Sequence, residues 1–258
     1  MKGLYRVALA IAILLAVASL VLFVGSAWTG DAFAPVINLI QLLLVVTTFV
    51  LALLLFVRLD KGGMLRRLWG LVATAMFIDL FAVSCEAVNG FARQWKVSQG
   101  TVFTIYTLVW LVLIFYPVVL YTAFRREGIP FDWRSITAVL PSLAIVSLAT
   151  LVVVVIPWLG SGVDLGTKIS NLVALVVGTV SVFASAFLTV TMGRGRSGRP
   201  WLFVTLALTA AVTQTILTTH VTMVAGTMRV LDPANYLLHL CYLLEIAAEY
   251  HQNELLSG

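Results

Sequence analysis

Apolar residues gather into eight long runs along the chain, at 7–27, 36–57, 69–90, 102–124, 136–157, 169–192, 201–226 and 234–250. A helix that crosses a bilayer needs roughly 20 mostly apolar residues, and each run is close to that length. The pattern predicts an all-α, polytopic membrane bundle of eight transmembrane helices. The connections are short, so residues 1–258 read as a single integral membrane domain. Within it, 1–35 is an extra N-terminal anchor helix and 36–250 a seven-helix core.

Polar residues inside a membrane span are costly and turn toward neighbouring helices, a cavity or a bound molecule. Here they recur at helical spacing. The third run carries Ala75, Asp79, Ala82, Glu86 and Asn89 in one narrow stripe, and the eighth carries Asn235, His239, Tyr242, Ile246 and Glu249, with Glu245 beside the stripe. The sixth has Asn171, Ala174, Gly178, Ser181, Ser185 and Thr189, small and hydroxyl residues that let two backbones approach closely. The seventh has Thr205, Thr209 and Thr213 four apart, with His220 near the same face. The first run has almost no polar residue in its centre and is expected to be the most peripheral helix. Helix rise from the turn near 229–233 puts His220 and His239 at a similar depth, roughly 10–14 Å below the outer surface. Asp79 falls near mid-membrane and Glu86 near the outer rim. The candidate ligand-binding residues are therefore Asp79, Glu86, His220, His239 and Tyr242.

Composition agrees with the pattern: 61% of residues are hydrophobic and 10% charged, with mean hydropathy +1.07. A soluble domain has about 25% charged residues, so a soluble fold is excluded. The 16 basic residues set the orientation. Twelve fall on one side, at Lys2, Arg6, Arg58, Lys61, Arg66, Arg67, Arg125, Arg126, Arg134, Arg194, Arg196 and Arg199; Arg93, Lys96, Lys168 and Arg229 fall on the other. Basic residues stay preferentially in the cytoplasm, which places both termini inside, in the cytoplasmic (inner) membrane. The net charge of +5 is thus a topology signal and not a nucleic-acid-binding face. The first run follows Lys2 and Arg6 as a signal peptide would, but it exceeds the usual h-region of about 7–15 residues and reads as a retained anchor.

Two imidazoles on facing helices are the arrangement that ligates a b-type haem, but His220 and His239 equally suit hydrogen bonds across a helix interface, and no cofactor is expected. Asp79 and Glu86 suit a proton or cation path, although no basic residue in a span core pairs with them. Residues 193–198 spell G-x-G-x-x-G without the strand and βαβ unit the dinucleotide motif requires. Residues 160–162 lack the His and Asp of a triad. The four lysines, Lys2, Lys61, Lys96 and Lys168, lie at ends or in loops, where none could form a retinal Schiff base. Metal-ligand spacings are absent, and Cys85 and Cys241 read as small packing residues. Arg66-Arg67-Leu68-Trp69 and Arg199-Pro200-Trp201 open two runs alike, a feature generic to the cytoplasmic interface. No catalytic motif is found, so the chain is not expected to be an enzyme.

A set of positions carries a resemblance. A basic, Gly-containing first inner loop precedes a helix that ends in Glu86 and Asn89; Phe115-Tyr116-Pro117 lies in a helix that ends at Arg125-Arg126; Phe131-Asp132-Trp133-Arg134 leads to Leu140-Pro141; and Leu231-Asp232-Pro233 stands before the last helix. In this, residues 36–250 resemble the seven-helix sensory modules at the N-termini of bacterial histidine kinases and diguanylate cyclases. The chain departs from them in its added first helix and in stopping at Gly258, where that family continues into an output domain. The resemblance implies a receptor-like module that signals through a separate membrane or cytoplasmic protein. The expected function is a non-catalytic receptor or sensor module that binds a small ligand or lipid, in a pocket opening outward among Glu86, His220 and His239. The alternatives are an assembly subunit of a larger membrane complex, or a transporter or haem-binding redox protein.

Overall fold

The computed structural model describes residues 2–91, 97–126, 133–152, 156–159, 161–162, 165–192, 196–225 and 233–257. Among them the chain is helical apart from short turns. The helices are α1 (Lys2–Thr29), α2 (Ala34–Arg58), α3 (Met64–Phe91), α4 (Gln99–Leu113), α5 (Phe115–Arg126), α6 (Trp133–Thr150), α7 (Ile156–Leu159), α8 (Leu165–Thr191), α9 (Arg199–Ala225) and α10 (Pro233–Ser257). Many residues in them are β-branched and weak helix formers in water. In a bilayer the backbone must satisfy its own hydrogen bonds, and the helix is the local way to do so.

All eight apolar runs contain helix, and among the described residues six stretches are long and apolar enough to cross a membrane: Gly3–Ser26, Ala34–Arg58, Met64–Asn89, Gly100–Thr122, Asn171–Thr191 and Arg199–Val221. α10 is not among the six, because Glu245, Glu249, His251, Gln252, Asn253 and Glu254 dilute its hydrophobicity. Its place in the bundle explains that composition. α10 packs against α9, α1 and α2, so its polar side chains meet protein. Five consecutive residues, 245–249, are all buried.

The fourth run is broken in two at Ile114. Pro117 has no backbone N–H for the Leu113 carbonyl one turn earlier. The Ser181 hydroxyl of α8 donates to that carbonyl instead, at 3.4 Å, as neighbouring hydroxyls do for proline-freed groups in membranes. The small residues of α8 behave as expected. Ala174, Gly178, Ser181 and Ser185 are buried, and a Cβ at Gly178 would lie 2.6 Å from Val212 Cγ2 and 3.0 Å from Trp110. The Thr205 hydroxyl donates to Ser185 Oγ at 2.9 Å and lies 3.0 Å from the Thr189 hydroxyl, tying α9 to α8.

α1 is the least buried of the six candidate spans, with Leu14 and Val21 fully outward. It is more than a peripheral anchor, however. Tyr5, Ala12, Ala16, Ser19 and Phe23 form a buried row that covers α10 and part of α2. The helices run antiparallel. Phe23 meets Tyr236 and His239 at one end, while at the other Tyr5 donates to the Leu51 carbonyl at 3.2 Å and interacts with Glu249 and Arg58. The two termini therefore emerge at the same end of the bundle. Trp69 and Trp201 also meet near that end, with ring centroids 6.2 Å apart. Both are buried, so they join α3 to α9 instead of anchoring the chain in headgroups.

Candidate functional site

The stripe on α3 faces inward. Ala75 and Ala82 are fully buried and leave room on either side of Asp79. From α10, Tyr242 reaches into that room, and its hydroxyl donates to Asp79 Oδ2 at 2.6 Å. Two turns further along α3, roughly 10 Å by helix rise, the Tyr106 hydroxyl of α4 donates to Glu86 Oε2 at 3.0 Å. Gln41 of α2 lies beside this second pair, and Asn38 Nδ2 donates to the Glu86 backbone carbonyl at 3.3 Å. Asn89 closes the end of α3 away from the termini: its amide donates to the Val97 carbonyl at 3.0 Å and accepts from the Val97 N–H at 2.7 Å. The site is thus two tyrosine–carboxyl pairs stacked along α3, one held by α10 and the other by α4 and α2. Neither carboxyl has a basic partner among the described residues.

The structure brings Asp79 and Tyr242 together but separates the two histidines. His239 is 1% exposed and packs edge-on against Phe23 of α1, with centroids 5.6 Å apart. Its Nδ1 has no hydrogen-bond partner among the described residues. His220 is exposed on the outside of α9. The stripe that suggested otherwise, Thr209, Thr213 and His220, is itself an exposed face. Thr209 and Thr213 donate to the carbonyls four residues earlier, at 2.7 and 2.8 Å, so their hydroxyls are satisfied without a neighbour. A cleft of about 390 Å³, lined by Leu42, Ser84, Ala87, Val88 and Phe91, is apolar and contains none of the five candidates.

A third group of polar residues was not among the sequence candidates, although Glu249 lies on the stripe of the last run and Glu245 beside it. Glu245, Glu249, Gln252 and Asn253 on α10 are all buried, and Arg58 of α2 bonds through Nη1 to Asn253 Oδ1. The available signal was the density of carboxyls and amides in the last apolar run, which marks a helix enclosed by others. A single stripe is the wrong template for such a helix.

No family model matches the chain, and comparison with curated proteins and with solved structures finds no significant match.

Proposed function

We propose that the chain is a non-catalytic, receptor-type module of the cytoplasmic membrane, with eight crossings and both termini inside, that acts through a separate protein partner. Asp79 and Tyr242 are the working contact. The observation that carries this reading is the 2.6 Å bond between them, which links the helix bearing the outer cluster to the central helix leading to the termini. A small polar ligand or lipid headgroup meets the module at the outer end, where Glu86 is only partly buried. Its effect passes along α3 to Asp79 and then to α10. Carboxyls kept inside a membrane without basic partners are costly, and such residues are retained at working sites.

Coupling between the two ends tests the proposal. Glu86→Gln, in the full chain reconstituted in nanodiscs, is expected to change amide hydrogen exchange at the Tyr250–Ser257 end of α10. Tyr242→Phe should abolish that response. An effect of Glu86→Gln that stays local to α3 and α4 would overturn the receptor reading. A second reading, an assembly subunit, is favoured by the broad exposed apolar face of α1. Native mass measurement of the gently purified assembly would reveal obligate partner chains seated there.

A further inference from the structure

We infer that the Glu249 carboxyl, at the junction of α1, α2 and α10, is a proton-binding site whose charged form is neutralised by Arg58. This site is separate from the tyrosine–carboxyl pairs and does not rest on the receptor reading. Glu249 is fully buried, and neither of its carboxylate oxygens has a hydrogen-bond partner among the described residues. Glu245, one turn earlier on α10, is buried too, with Oε2 unpartnered in the same sense. Two ionised carboxylates at that spacing repel each other and have no water to solvate them, so the pair holds at least one proton.

The groups facing Glu249 define what happens when that proton leaves. From α1 comes Tyr5, whose hydroxyl is committed to the Leu51 carbonyl; Arg6, the next residue, is exposed. From α2 comes Arg58. The titratable residues of α9 are Arg199 and His220, both exposed, and the turn Arg196–Gly198 adds one arginine by sequence. On α10 itself His251 and Glu254 pair with each other at 3.4 Å. Of these cations Arg58 is the one that bonds to α10, and so it is the one placed to answer a charge at Glu249. It is held by Asn253, one turn beyond Glu249 on the same face of α10, and it is exposed at the side of the bundle where the termini emerge. The proton departs to that side, and the guanidinium moves one turn along α10, from the Asn253 amide to the new carboxylate. Asn253 is fully buried and its Nδ2 has no partner among the described residues, so losing Arg58 frees the last turns of α10. Proton occupancy inside the bundle is thereby read at the end where both termini emerge.

Infrared difference spectroscopy of the full chain in phosphatidylcholine vesicles, titrated with pH, tests the inference. A protonated-carboxyl C=O band should fade as pH rises, be missing in Glu249→Gln and persist in Glu245→Gln. Arg58→Gln should raise the midpoint by about one pH unit or more, that is, tighten proton binding about tenfold. The inference is overturned if the titrating band survives in Glu249→Gln or if the midpoint is unmoved in Arg58→Gln. It is also overturned if replacing sodium by N-methylglucamine shifts the midpoint, which would make the site one for a metal cation. Should Glu249→Gln fail to fold, the Arg58→Gln midpoint alone decides.

Discussion

Replacing Tyr242 with Phe removes one oxygen and leaves Asp79, 5% exposed, without its donor. A buried polar group stripped of its partner costs about 1–3 kcal/mol. Asp79→Leu strands the Tyr242 hydroxyl in turn, at a similar cost. The double variant removes both partners, and the two losses should overlap. Hydrogen bonds between membrane helices couple by about 0.6 kcal/mol on average and at most about 1.7. The 2.6 Å distance is at the short end for O–H···O contacts, and both partners are buried. The coupling energy should therefore reach about 1–2 kcal/mol, in the upper part of that range. Reversible unfolding of the four proteins in mixed detergent micelles yields the cycle directly. Additive single losses, with coupling indistinguishable from zero, would mean that the bond contributes nothing to the fold, and its role as a link between α3 and α10 would fall with it.

Gly178→Val should destabilise the protein by about 1–3 kcal/mol through overpacking, since even a Cβ there meets Val212 at 2.6 Å; unchanged thermal unfolding would contradict the close approach of α8 and α9. Ser181→Ala should cost about 1 kcal/mol and raise amide exchange around the break at Ile114 selectively, whereas exchange that rises evenly along α4 and α5 would show that the hydroxyl does not hold the break. A cysteine placed at Ser161 should react with an impermeant reagent in intact cells while one placed at Ser197 stays protected, and the reverse pattern would invert the topology.

The sequence made Asp79 legible because Ala75 and Ala82 share its stripe, and Tyr242 because it lies on the inward row of α10. Small residues beside a polar one leave space for a partner, and such space survives in any packing. The exposure of the His220 face was not legible for a related reason. Thr205, Thr209 and Thr213 all bond the carbonyl four residues earlier, and spacing alone does not show that Thr205 also reaches across to α8. Tyr106 was missed because it stands alone in an apolar run with no stripe to mark it. Glu249 stood on the stripe of the last run and Glu245 beside it, but a stripe presupposes one protein-facing side, while α10 has neighbours on several, so their joint burial was not legible. The break at Ile114 follows from Pro117, but its repair by Ser181 is a contact 68 residues distant, which no local pattern encodes.

The enclosure of α10 sets an order of events during synthesis. A segment bearing Glu245 and Glu249 is a poor candidate for stable residence in lipid, where a charged side chain at mid-span costs about 2.5–3.5 kcal/mol even by insertion assays. α1, α2 and α9, far more apolar, leave the ribosome earlier and enter the bilayer unaided. They form the slot that receives α10, so the helix richest in polar groups is solvated by protein that arrived before it. Deleting α1 would then do more than remove an anchor: it would open one wall of that slot, leaving Glu249 facing acyl chains and α10 prone to slip back into the aqueous phase and be degraded.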